Sequence, residues 1–181
     1  MEAIIFEQLK NELVSGIKKR GHPFRYFSLA TVDSFNQPQT RTVVLRNVNA
    51  ELELFFFTDI RSHKVEQVQD NPNVSALFYH PEKQLQLRLN GRASLITDEA
   101  ITEKFWKSVP EASKTEYSTS QGPGRTLAHP KQLTYLEDDH HFSVVKIVPT
   151  TIGYLRLQRP HHERVLYTKI EGQWVHEFLV P

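Results

Sequence analysis

Between Arg41 and Lys64 the sequence RTVVLRNVNAELELFFFTDIRSHK brings together Arg41, Arg46, Arg61, His63 and Lys64, with the hydroxyls of Thr58 and Ser62 among them. Arginine offers a planar fork of donors, lysine a compact charge and a hydroxyl a further donor, a combination suited to phosphate. The same residue types also fit solvated strand ends and an ordinary surface helix, because charged side chains are mostly exposed. Spacing adds a condition. Arg41 and Arg46 are an odd number of residues apart, so in a regular strand they point to opposite faces. A single ligand meets both only if a bulge intervenes or the ligand wraps the strand.

Other chemistries find less support. The tandem pairs His140-His141 and His161-His162 invite a metal, but neighbours on a strand face opposite ways and no H-E-x-x-H motif is present. They read as surface histidines, and no metal is expected. There is no G-x-S-x-G elbow for a serine nucleophile, no G-x-G-x-x-G after a strand and no P-loop. Phe55-Phe56-Phe57, Trp106 and Trp174 fit a core better than a cofactor cage, since aromatic residues dominate cores. A net charge of +1 gives no general pull toward nucleic acid or anionic membrane, so any basic site is local. The absence of cysteine excludes disulfides, a thiolate nucleophile and cysteine-bound zinc, and it is compatible with the cytoplasm. The N-terminal stretch lacks a basic leader, and no apolar run reaches the roughly 20 residues of a membrane span.

The 181 residues suit one domain, 1–181. Ile4, Ile5, Leu9, Leu13 and Ile17 predict an amphipathic first helix stopped by Gly21 and Pro23. YFSLATVD, QTRTVVLRNV and ELELFFFT read as strands, and Asp59 or Ser62 as the cap of a short helix ending at Asn71-Pro72. VSALFYH and QLQLRLNGRASLIT follow, the second alternating leucine with polar residues. Asp98 caps a helix through Phe105 and Trp106 that ends near Pro110. EASKTEYSTSQGPGR suggests a weak helix running into a long loop, and Lys131 to Leu136 a helical turn. FSVVKIV, TIGYLRL, ERVLYTKI and QWVHEFLV return to strand, with Pro149 and Glu171-Gly172 as turns. About eight strands with interspersed helices and no βα alternation predict a mainly β, α+β protein, an antiparallel barrel decorated by helices.

The ordered set Arg41-Thr-Val-Val-Leu-Arg46, Phe57-Thr58, Ser62-x-Lys64, Asn71-Pro72-x-Val74, Gln86-x-Arg88-x-x-Gly91, Arg164, Trp174 and Pro181 resembles the pyridoxamine 5'-phosphate oxidase family over nearly the whole chain. The short loop with Gly122-Pro123-Gly124 is similar to that of its flavin-binding, oxidase-like branch. The resemblance implies a split β-barrel binding FMN at the interface of a homodimer. It assigns Arg41 and Lys64 to the FMN phosphate, with Ser62, Thr58, Phe57 and His63 beside them. It lays the backbone of Thr42, Val43, Val44 and Leu45, with Arg46, along the flavin ring, and brings Gln86 to the ring edge. Gln121, Tyr154 and Arg164 come from the second subunit.

The same resemblance marks departures. His63 stands where the family has arginine, with Arg61 available to compensate. Arg46 takes the place of a lysine that holds the substrate phosphate in the oxidases. Phe105 and Val109 stand where those enzymes use tyrosine and arginine for that phosphate, while Ser113 is retained. His162 matches a family histidine, and Pro160 replaces an arginine near it that Arg159 replaces only with a one-residue shift. The expected function is an FMN-dependent oxidoreductase acting on a small molecule other than pyridoxine or pyridoxamine 5'-phosphate, with Arg46, His162 and Ser113 on the substrate side. Two alternatives stand beside it: a non-catalytic flavin-binding or storage protein, and a split-barrel relative binding haem or a deazaflavin.

Overall fold

The structure, a computed structural model, describes residues 2–137 and 139–181. The first helix, α1 (Glu2–Lys18), buries Ile5, Leu9 and Leu13, one residue per turn, against the sheet. Gly16 lets the helix approach the short 3-10 turn Pro23–Arg25, because a Cβ there would stand 2.5 Å from the carbonyl oxygen of Phe24. Among the described residues no helix is long and apolar enough to cross a membrane.

Nine strands form one antiparallel sheet: β1 (Tyr26–Val32), β2 (Pro38–Val44), β3 (Asn47–Val48), β4 (Leu54–Asp59), β5 (Asn73–His80), β6 (Leu85–Leu95), β7 (Phe142–Arg156), β8 (Glu163–Ile170) and β9 (Gln173–Phe178). The main order is β2-β1-β5-β6-β7-β4-β3, with β8 and β9 attached to β7. The two ends of that order are consecutive in the chain, joined by Leu45 and Arg46, so the sheet curls back toward itself. QTRTVVLRNV is therefore not one strand as expected. At Leu45 the backbone N–H donates to the carbonyl of Arg25, and at Arg46 it donates to that of Phe55, so the chain changes partner between these residues. This break removes the strict alternation that set Arg41 and Arg46 apart.

FSVVKIV and TIGYLRL, expected as two strands turning at Pro149, are one continuous strand, β7. One edge of β7 pairs with β6 along most of its length. The other pairs with β4 over Phe142–Ile147 and with β8 over Thr151–Arg156. Pro149, which has no N–H to offer, lies between those two partners. Opposite it the register shifts at Asn90/Gly91, and Gly91 makes room: a Cβ there would stand 2.2 Å from the carbonyl oxygen of Val148.

The main core lies inside the curl, with Leu29, Phe56, Phe78, Leu87, Leu89 and Ile152 at its centre. A second cluster lies on the other face of β4, where Phe55, Phe142, Val144, Val109 and Tyr117 pack with Phe57, Phe105 and Trp106. It is covered by α3 (Glu99–Ser108), whose Asp98 cap accepts from the N–H of Ile101 at 3.0 Å as expected. The FFF run is thus core on both faces. The short helix α2 (His63–Asp70) turns Val65 and Val68 inward. Beyond α3, the weak helix is a single turn, α4 (Glu111–Lys114), followed by a 3-10 turn at Thr115–Tyr117. The turn expected at Lys131 to Leu136 is a 3-10 turn at Pro130–Gln132.

Candidate anion-binding site

Arg41 projects from β2 on the inner side of the sheet, opposite the buried Leu29. Its guanidinium donates to Thr31 Oγ1 at 2.5 Å and to Gln67 Oε1 at 2.9 Å, and the Thr31 hydroxyl donates to the same Gln67 oxygen at 2.6 Å. Gln67 lies one helical turn after Lys64 on α2, so strand and helix bring the two cations to one place. Lys64 Nζ donates to Thr58 Oγ1 at 3.0 Å, and Thr58 Oγ1 shares a hydrogen bond with Ser62 Oγ at 3.1 Å. Both hydroxyl residues are almost fully buried, Thr58 at 5% and Ser62 at 3% exposure. Ser62 occupies the N-cap position of α2 but makes no side-chain cap bond; its hydroxyl turns to Thr58 instead.

Electrostatically this corner is in surplus. Burial lowers the pKa of Lys64 below the usual lysine range, and the neighbouring Arg41 charge lowers it further, against a raising influence from Asp59. Burial also lowers that of Arg41. Among the described residues neither cation forms an ion pair; both spend their hydrogen bonds on neutral oxygens. Two partly buried cations held by neutral groups suit an anion, since an added negative charge relieves both the desolvation and the mutual repulsion. Beside them β2 ends the main sheet order. Among the described residues no strand pairs with its outer edge from Arg41 to Val44, which leaves backbone groups for a planar polar ligand.

Other expected members fall elsewhere. Val43 and Leu45 are buried, so they can meet a ligand only through main chain, while Thr42 is exposed and Val44 half-buried. Phe57 is on the opposite face of β4 from Thr58, its ring against Phe105 and Phe142. Arg61 is engaged by its own chain: its guanidinium clasps both carboxylate oxygens of Asp59, at 3.0 and 2.7 Å, and donates to the carbonyl of Thr119 at 2.8 Å. That bond to Asp59 raises its pKa. His63 is exposed beside Glu66 Oε2 at 3.3 Å and Gly124. The loop carrying the exposed Gln121, expected to serve a second subunit, docks on Arg61 and His63 of its own chain.

Arg46 lies over the Phe57 ring, 5.3 Å from its centroid, with its charge near the Tyr117 hydroxyl, while its buried Nε has no hydrogen-bond partner among the described residues. Burial raises the Tyr117 pKa. Ser113 is half-buried on α4, and Val109 is buried in the aromatic cluster. Gln86 and Arg164 lie in one cross-strand row with Leu155, on the outer face of β6 and β8, and line a cavity of about 100 Å³. Arg164 donates to the carbonyl of Val180 at 3.2 Å. Tyr154 borders the same cavity. At 1% exposure its ring belongs to the main core, because alternation on β7 turns it inward with Ile152. His162 is exposed, accepting from the N–H of Gln158, and does not join the cation cluster. Thr31, Gln67 and Tyr117 were missed by sequence reasoning. Only Gln67 left a signal, its i,i+3 spacing from Lys64.

The model of the pyridoxamine 5'-phosphate oxidase FMN-binding domain matches residues 6–97. The pyridoxine/pyridoxamine 5'-phosphate oxidase of Haemophilus influenzae is 29% identical over 85% of this chain and 78% of its own. That of Burkholderia thailandensis is 31% identical over 78% and 71%. Among solved structures, a pyridoxamine 5'-phosphate oxidase-related FMN-binding protein from Nostoc punctiforme superposes with a TM-score of 0.81 at 23% identity, covering 97% of this chain and 96% of that one. PhzG from Burkholderia lata, solved with tetrahydrophenazine-1-carboxylic acid, superposes at 0.80 with 19% identity over 97% and 92%. The chain belongs to the pyridoxamine 5'-phosphate oxidase FMN-binding family, and its curled antiparallel sheet is the split barrel of that family.

Proposed function

We propose that this protein is an FMN-dependent oxidoreductase acting on a small molecule that is not a pyridoxine or pyridoxamine 5'-phosphate. The observation that carries the reading is the pair Arg41 and Lys64, brought together beside two buried hydroxyls with no carboxylate ion-paired to either among the described residues. These residues fit a phosphate: Arg41 and Lys64 would hold its charge, Thr58 and Ser62 would donate to its oxygens, and the open edge of β2 would line the ring. Bound FMN supplies hydride acceptance at its N5 atom and electron transfer onward to an acceptor. This chain's part is placement, charge and exclusion of water. Arg46, pinned between Phe57 and Tyr117 with one N–H unspent, would orient an anionic or polar substrate group. His162 and Ser113 are further substrate-side candidates.

The substrate end supports a departure from the vitamin oxidases. Phe105 packs against the rings of Phe55 and Phe57, and Val109 is buried, so neither offers a donor to a second phosphate. A cytoplasmic homodimer completes the reading. Arg164 faces away from the Arg41 side of the sheet and would serve a ring held by a second copy. Purified protein is expected to be yellow and to release FMN on denaturation. A colourless protein without flavin affinity in titration overturns the proposal, and robust turnover of pyridoxine 5'-phosphate overturns its substrate half.

A further inference from the structure

The histidines assembled by the fold are not the tandem pairs of the sequence. Glu12 from the middle of α1, His22 from the turn after it and His80 at the end of β5 each bring a donor atom to within 4.8 Å of the others. His22 Nε2 stands 3.3 Å from Glu12 Oε2. Donors on a tetrahedral Zn²⁺, with ligand bonds of about 2.1 Å, are separated by about 3.4 Å, so that pair is already at chelating distance. His80 needs only a small side-chain shift. Glu12 Oε2 is buried and, apart from that 3.3 Å contact with His22 Nε2, has no hydrogen-bond partner among the described residues. The carboxylate already attracts a cation: the ammonium of Lys83, from the turn between β5 and β6, sits on Glu12 Oε1. The Lys83 side chain is 44% exposed, so it can leave for water without unfolding anything.

We propose that Glu12, His22 and His80 bind a Zn²⁺-class divalent cation that displaces the Lys83 ammonium and staples α1 to the end of β5. His22 would ligate through Nε2, because its Nδ1 accepts from the N–H of Phe24 at 3.2 Å. Ligation moves the ring proton from Nε2 to Nδ1 and gives up that bond. His80 accepts from the N–H of Lys83 at 3.4 Å, a contact long enough to give way. One carboxylate and two imidazoles suit zinc, with water completing the shell.

The test is calorimetric titration of the full-length purified protein with Zn²⁺. One site should saturate in the micromolar range or below. It should weaken at least 100-fold in Glu12→Gln and in His80→Gln, stay unchanged in the surface control His161→Gln, and tighten in Lys83→Ala. X-ray absorption of the loaded protein should show two imidazole nitrogens on the metal, a readout that does not depend on any variant folding. Absence of Zn²⁺ binding below millimolar concentration, equal affinity in folded Glu12→Gln, or a shell without imidazole overturns the proposal.

Discussion

Thr58 and Asp59 are neighbours at the end of β4, yet each organises a different kind of cation. Asp59, on the outer face with a side chain only 3% exposed, is clasped by Arg61, and that fork also fastens the loop at Thr119 and Ser120. Thr58, on the inner face, receives Lys64, and among the described residues neither Lys64 nor the neighbouring Arg41 forms an ion pair with a carboxylate. One residue of strand alternation separates a charge that is spent on structure from a charge that is held ready. The lesson concerns how basic residues are read: in a stretch with several cations, the one already paired to a buried acid is architectural, and those held by neutral oxygens are available to a ligand.

The largest expected effect tests the architectural half. Arg61→Ala leaves Asp59 buried and unpaired, and should lower stability by about 2–3 kcal/mol in denaturant unfolding, tempered by the partial exposure of Arg61. The intrinsic FMN affinity of the folded protein should change far less than in Lys64→Ala. If Arg61→Ala abolishes flavin binding without loss of stability, the division between the two faces is wrong. Lys64→Ala should behave in the opposite way. It is expected to weaken FMN by about 1.5–3 kcal/mol in fluorescence titration, the contribution of a hydrogen bond to a charged group. It should leave the stability of the flavin-free protein equal or higher, because a desolvated cation is removed.

The pH dependence sharpens the same contrast. The folded-state pKa of Lys64 is lowered by burial and then by Arg41. Below that lowered pKa both states carry the proton and the full cost of the buried charge is felt. As pH rises from it toward the unfolded lysine value, the folded state releases the proton first, so flavin-free stability contributed by this group increases. FMN affinity should fall over the same interval as the ammonium is lost. Melting temperatures and titrations across an alkaline pH series check both signs, and Lys64→Met should remove this contribution. The smallest effect is expected at the substrate end. Tyr117→Phe removes the hydroxyl beside Arg46 and should cost about 0.5–1.5 kcal/mol in stability, with FMN affinity nearly unchanged.

Much of the fold was legible in residue order. Leucine alternation in QLQLRLNG, the 3.6-residue rhythm of Ile5, Leu9 and Leu13 and the Asp98 cap are local patterns, and local physics places their elements. Pro149 misled because proline normally ends a strand; here a glycine on the facing strand and a change of partner at that point tolerate it. At the site, sequence named Arg41, Thr58, Ser62 and Lys64, since residue types and their order along the chain are enough to suggest an anion site. It did not show that Arg61 is spent on Asp59, or place the Tyr154 ring in the core. Those outcomes depend on which face of a strand a residue occupies and which distant group meets it there. Gln67 reaching Arg41, Thr119 reaching Arg61 and Lys83 reaching Glu12 are contacts between segments far apart in the chain. Sequence by itself determined the inventory of charges and the strands and helices that carry them. Only tertiary packing decided which charges are neutralised, because pairing depends on distances of a few ångströms that the folded sheet sets.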